Sequence, residues 1–132
     1  MNVLWLSAPY RKDDIVSNKG AVWVYTENQE RRGGGELIEF MRSNENCHPL
    51  IYRETNGKDG FYKEDNVLRT TQEIERYFNS LYIKIRQGKL AILPTIEINE
   101  AMIELEKNAP TLHKVFVKGI DTTNKFKTTS LI

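Results

Sequence analysis

Ala21-Val-Trp-Val-Tyr-Thr-Glu-Asn-Gln-Glu-Arg-Arg-Gly-Gly-Gly-Glu-Leu37 sets the architecture of this chain. Ala21 to Tyr25 is nearly continuous in apolar character and predicts a strand covered on both faces. Thr26, Glu27 and Asn28 predict a polar turn at its end, followed by the basic pair Arg31 and Arg32 and the glycines Gly33, Gly34 and Gly35. Leu37, Ile38 and Met41 recur at helical spacing and predict a short helix over 35–42. A strand, a glycine-rich turn and a helix in that order offer free backbone N–H groups and a positive dipole end to an anion, most often phosphate. Glycine permits φ > 0 and lets a ligand approach the backbone without meeting a Cβ. Arginine forks beside it suit phosphate oxygens. The same letters also fit a flexible loop before a helix start, because neither a P-loop nor a dinucleotide fingerprint is matched.

Outward from this segment, the pattern alternates strands with helices. Val3–Leu6 predicts a first strand, and residues 8–20 a polar connection with one helical turn around Asp13–Val16. His48–Tyr52 predicts a third strand, and residues 54–66 a polar loop carrying Phe61 and Tyr62. The strongest helix is predicted over 71–87: Thr70 and Glu73 form a capping-box pattern, and Ile74, Tyr77, Phe78, Leu81, Tyr82 and Ile85 share one face. Gly88 stands where a left-handed residue ends a helix. Leu90–Leu93 predicts a strand stopped by Pro94, followed by helices over 99–107 and 111–118 and a polar tail beyond Gly119. The implied fold class is α/β: a single domain with a mostly parallel mixed sheet flanked by helices. Ligands of such sheets sit at the carboxyl ends of the strands, which gathers Thr26–Gly35, the residues after Tyr52 and Pro94–Asn99 around one crevice.

Composition narrows the function classes. The 132 residues, 39% hydrophobic and 28% charged, suffice for one core. A net charge of +1 gives no global field for a polyanion, so a nucleic-acid partner is not expected. No apolar run reaches the ~18 residues of a membrane span. Met1 to Ser7 reads as a strand rather than a signal peptide. A single cysteine, Cys47, excludes an internal disulfide framework and is expected to pack as a small buried hydrophobe in a reducing cytoplasm. His48 and His113 belong to no metal-ligand spacing, and no metal or cofactor is expected.

The run Trp23-Val-Tyr-Thr-Glu-Asn-Gln-Glu-Arg-Arg-Gly-Gly-Gly-Glu36, then Met41-Arg42 and Asn46, resembles small, poorly characterised proteins common in bacteriophage genomes. Their pattern is a strand ending Val-Phe-Gly-Asp-Asn, then Arg-(Arg/Lys)-Gly-x-Gly-Gly-Gln, a helix ending Met-Arg-Gly, and an Asn before the next strand. Gly60-Phe61-Tyr62 is similar to their Asp-x-Tyr-Phe segment, Leu93-Pro94 to their strand-end Pro, and Leu105 with Ala109-Pro110 to their closing Leu-x-x-x-Ala-Pro. That family looks like a compact relative of macrodomains, which bind ADP-ribose between two glycine-bearing loops. The resemblance implies a macrodomain-like domain over 1–120 and a flexible tail over 121–132. Two departures stand out. The family's Gly-Asp before the Asn is here Thr26-Glu27, and its second glycine loop is replaced by Thr95-Ile-Glu-Ile-Asn-Glu100, with two carboxylates that would repel a pyrophosphate unless they face away.

What the resemblance implies is a protein that captures a small nucleotide-derived ligand related to ADP-ribose, encoded by a phage, acting in the host cytoplasm and countering defence by sequestering a nucleotide signal. The amides of Gly33, Gly34 and Gly35 with Arg31 or Arg32 would hold phosphate, and Asn28 a sugar hydroxyl. Arg53 could reach a phosphate, Phe61 or Tyr62 could stack on a purine, and Thr26 and Thr95 flank the crevice. One alternative is a hydrolase of ADP-ribose adducts, with Glu27 as general base and Asn28 holding the sugar. Another is a ligand-free protein that contacts a host defence protein through Glu97 and Glu100. Exposed sheet edges allow a homo-oligomer.

Overall fold

The computed structural model describes residues 2–126. Strands β1 (Val3–Leu6), β2 (Ala21–Asn28), β3 (Cys47–Arg53) and β4 (Leu90–Pro94) form one parallel sheet in the order β1-β4-β2-β3. Helices α1 (Lys12–Ser17) and α2 (Glu36–Arg42) cover one face. Helices α3 (Val67–Arg86), α4 (Thr95–Asn108) and α5 (Pro110–Asn124) cover the other. The two-residue period of a strand divides β2 between the layers: Val22 and Val24 enter the three-helix core, while Ala21, Trp23 and Tyr25 face α1 and α2. That is why the segment is apolar almost throughout. The result is a single α/β domain of the expected class.

Four boundaries differ from the sequence expectation, each for a tertiary reason. β2 does not turn at Thr26. It continues to Asn28 because Thr26, Glu27 and Asn28 pair with Leu50, Ile51 and Arg53, with a register shift that leaves Tyr52 unmatched. α3 begins at Val67, so Thr70 and Glu73 are not its capping box; Asn66, in the left-handed region at φ 46°, starts the helix without a side-chain cap. α4 begins directly after Pro94, so residues 95–100 are helix rather than loop. α5 runs through Gly119 to Asn124 with Ile120 and Thr123 buried, which places residues 121–124 in the fold; residues 127–132 lie outside the described range.

Gly119 is a packing glycine rather than a terminator. A Cβ built there lies 2.5 Å from the Phe78 ring of α3, and the Tyr82 hydroxyl donates to the Gly119 carbonyl at 3.0 Å. Alanine is favoured over glycine within a helix by about 1 kcal/mol, yet Gly119→Ala is expected to destabilise by about 1–3 kcal/mol because the ring cannot clear the methyl without repacking. Thermal melts of the variant check this sign reversal.

Candidate functional site

β2 and β4 pair only from Ala21↔Leu90 to Trp23↔Ile92 and then separate. β2 leads into α2 on one face and β4 into α4 on the other, so the chain leaves neighbouring strands in opposite directions. This is the switch point at which open α/β sheets form a crevice. Tyr10 reaches the base of the gap: its hydroxyl lies 2.7 Å from the Val24 carbonyl and 2.9 Å from that of Ile92, and its ring meets Trp23 edge-on at 5.1 Å. Burial first, then the Glu97 carboxylate, raises the Tyr10 pKa, so the phenol stays a neutral donor.

Two cavities open here, and Thr26 and Ile38 line both. One, about 90 Å³, is an apolar slot between Tyr10, Tyr25, Leu37, Met41 and Pro94, with Glu97 at its rim. The other, about 210 Å³, is polar and lined by Glu27, Asn28, Gly34, Tyr52, Arg53 and Asn56. A larger groove of about 560 Å³ lies apart, between Gln29, Tyr62 and the first turns of α3.

Gly33, Gly34 and Gly35 all lie at positive φ, 71°, 90° and 93°. Among the described residues none of their amides meets a protein acceptor. The corner is held from behind by Arg42, at the end of α2. Its guanidinium donates to both Glu27 oxygens, at 2.8 and 2.9 Å, and to the Gly33 carbonyl at 2.9 Å. The Gly33 carbonyl and the Gly34 N–H belong to one trans peptide and point opposite ways. Holding the first toward Arg42 therefore turns the second away from it.

Glu27 is buried, and beyond the Arg42 fork it accepts the Asn28 backbone N–H at 3.0 Å and has Arg31 Nε at 3.5 Å. A carboxylate so occupied balances charge inside the fold, and its oxygens are not free to deprotonate a water. Asn28 is also spent locally: its side chain donates to the Arg32 carbonyl at 2.8 Å and accepts the Arg32 amide at 3.4 Å, closing the turn. Arg31 points inward and donates to the Tyr25 hydroxyl at 3.2 Å; burial pushes that phenol up to about 12, against the Arg31 charge. The Arg32 residue is exposed.

Arg53 lines the polar cavity but is engaged. Its Nη2 donates to the Gly57 carbonyl at 3.1 Å, its guanidinium stacks 4.9 Å from the Phe61 ring centroid, and its Nε lies 3.5 Å from Glu104 Oε2. Neither of those last two atoms makes a hydrogen bond among the described residues, and burial raises the Glu104 pKa against the pull of Arg53. Tyr62 is a core residue whose hydroxyl donates to Gln29 at 2.8 Å, away from the crevice. Phe61 borders α4 at Ile103 and Glu104, and Thr95 is the first residue of α4. The structure thus brings Thr26, Asn28, Gly34 and Arg53 together and leaves Phe61 and Tyr62 outside.

The sequence reading missed Arg42, Tyr10 and Asn56. Arg42 pairs with Glu27 rather than with a carboxylate of its own helix. Its partner is 15 residues earlier, and only the return of α2 along β2 brings them together. Asn56 closes over Gly33, where a Cβ would lie 2.7 Å from its amide nitrogen. Cys47 is buried as expected and its thiol is pushed up to about 11 by burial, so it stays protonated. Among the described residues no cluster of three or more metal-ligating side chains exists, and no helix is long and apolar enough to cross a membrane.

No curated protein and no solved structure matches the chain. The model of a family of unknown function, DUF7831, matches residues 6–119, which span β2, β3 and β4 with only the last residue of β1 and run into α5 as far as Gly119. The chain belongs to that family.

Proposed function

We propose that this protein binds, without turning over, a small nucleotide-derived ligand related to ADP-ribose in the crevice between the carboxyl ends of β2 and β4. The observation that carries the reading is the corner at Gly33–Gly35: three successive residues at positive φ, their amides without protein acceptors, beside a polar cavity at the switch point. Arg42 supports it by fixing the Gly33 carbonyl and so the facing of the next N–H. Retention rather than hydrolysis is favoured because Glu27 and Asn28 are bound up in holding the corner. In a phage-infected cell, such a binder would sequester a nucleotide signal, the role implied by the resemblance of residues 23–46 to phage proteins.

Titration calorimetry with ADP-ribose and its cyclic derivatives tests this. Saturable heat and unchanged ligand by chromatography are expected. Gly35→Ala is the matched control, since a Cβ there meets nothing within 4 Å and the change is one of backbone alone. At φ 93° and ψ 177° only glycine is at ease, the strain on alanine being about 1–3 kcal/mol, so the corner relaxes and affinity falls by about fivefold to a hundredfold. Absence of heat with every ligand would overturn the proposal. Product formation that Glu27→Gln abolishes would replace it with the hydrolase.

A further inference from the structure

We infer that Tyr10 keeps the crevice open by making, from outside the sheet, the one ladder bond that Pro94 cannot make. Strand pairing identifies the groups concerned. The Trp23 N–H donates to the Asn46 carbonyl at 2.8 Å, on the β3 side. Neighbouring residues of a strand turn their backbone groups to opposite edges, so Val24 aims its N–H and C=O at β4. The Ala91 N–H donates to the Asn2 carbonyl at 2.8 Å, on the β1 side, so by the same alternation Ile92 faces β2. With Trp23 opposite Ile92, the register gives the Val24 N–H to the Ile92 carbonyl. The next rung would join the Val24 carbonyl to the N–H of residue 94. Residue 94 is proline and has no N–H. The ladder stops there for want of a donor.

Val24 is fully buried, so its carbonyl cannot turn to water instead, and an unmet acceptor there would be costly. The Tyr10 hydroxyl meets it at 2.7 Å and lies 2.9 Å from the Ile92 carbonyl. Its ring is set edge-on against Trp23, whose indole N–H donates to the Asn18 carbonyl at 3.2 Å. The hydroxyl therefore satisfies Val24 and occupies the place from which a rung to residue 94 would be made. Tyr10, Thr26 and Pro94 all line the apolar slot, so drawing residue 94 onto β2 would close it. Proline without tyrosine would leave a buried orphan carbonyl. Tyrosine without proline would compete with a backbone donor for the same oxygen. Tyr10 is thus a positioning residue, and its effect on a ligand rests on the binding proposed above, whereas its effect on the strands needs no ligand.

The test combines Tyr10→Phe with Pro94→Ala in the full chain. Tyr10→Phe keeps the ring on Trp23 and removes the donor, so the folding equilibrium constant should fall about tenfold, the cost of one unmet buried carbonyl. Pro94 lies at φ −84° and ψ 105°, backbone that alanine adopts freely. Pro94→Ala alone leaves the hydroxyl in place, so the new amide should exchange its hydrogen freely and ADP-ribose affinity should stay at the native level. In the double variant that amide completes the rung. Stability should then return to that of Pro94→Ala, and the amide at position 94 should become protected from exchange. ADP-ribose affinity, which scales with the fraction of molecules still open, should fall about tenfold or more. Stability regained with affinity lost is a pattern that a merely structural tyrosine does not produce. The comparison of Pro94→Ala with the double variant decides the matter even where Tyr10→Phe alone does not fold. A double variant that binds ADP-ribose like the native protein, or whose amide at position 94 stays unprotected, would overturn the role of Tyr10 and leave the proposed binding standing. No heat with ADP-ribose in the native protein would count against the binding itself, and exchange at position 94 would still judge Tyr10.

Discussion

Arg42→Ala is expected to lower folding stability by about 3 kcal/mol, read from urea denaturation at neutral pH. The Glu27 side chain is 1% exposed, and the substitution strips it of the two charge-assisted bonds at 2.8 and 2.9 Å, leaving a buried carboxylate with the more distant Arg31. Removing one partner of a buried pair costs about 3–5 kcal/mol, and the lower end applies because Arg42 itself keeps partial contact with water, at 18% exposure. The paired variant Glu27→Gln with Arg42→Met should recover most of the loss, since no charge is then left unpaired. The same substitution frees the Gly33 carbonyl, so ligand affinity should fall with it. A loss under 1 kcal/mol would show that this is an ordinary surface ion pair and that the corner holds itself.

This interaction also marks where the sequence stops being legible. The strand and helix cores could be read because each carries its own pattern: the unbroken apolar run at the start of β2, the 3.6-residue repeat through Ile74–Ile85, and Gly88 at φ 92° after α3. The glycine corner could be read in part: three glycines together suggest backbone at positive φ, which all three adopt, while the same letters also fit a flexible loop before a helix. The polar end of β2 could not. Thr26, Glu27 and Asn28 look like a turn by type, and they become strand only because β3 pairs with them and Arg42 neutralises the carboxylate. The glycine-free segment 95–100 likewise reads as a loop after Pro94, yet Ile98 is fully buried and draws the first turn of α4 onto the core. Gly119 looks like a helix end by type and is an interior contact by position. In each case the deciding partner lies on another element, out of reach of local pattern.

Acidification is expected to remove about 3 kcal/mol of stability between pH 6.5 and 4, through His48. The imidazole is 3% exposed, where β3 packs on α3. Its Nε2 lies 2.7 Å from the Tyr77 carbonyl and must donate, which leaves Nδ1 as the acceptor of the Lys84 ammonium at 3.0 Å. A second proton would therefore have to displace Lys84. The other groups around it give no relief: Arg31 is a further cation and the Cys47 thiol is neutral. Burial first, then Lys84, pulls the His48 pKa from 6.5 to about 4. The folded state thus binds its proton later than the unfolded chain does. The contribution is whole above pH 6.5 and is lost as pH falls toward 4, at about 1.4 kcal/mol per pH unit. Glu104, whose pKa is raised, acts in the opposite sense but is only partly buried. His48→Gln keeps a donor for Tyr77 and an acceptor for Lys84 without a titrating proton. Denaturation midpoints at pH 7, 5.5 and 4 should then fall much less in the variant than in the native protein. Equal falls in both would assign the acid sensitivity to the carboxylates and dismiss His48 as its source.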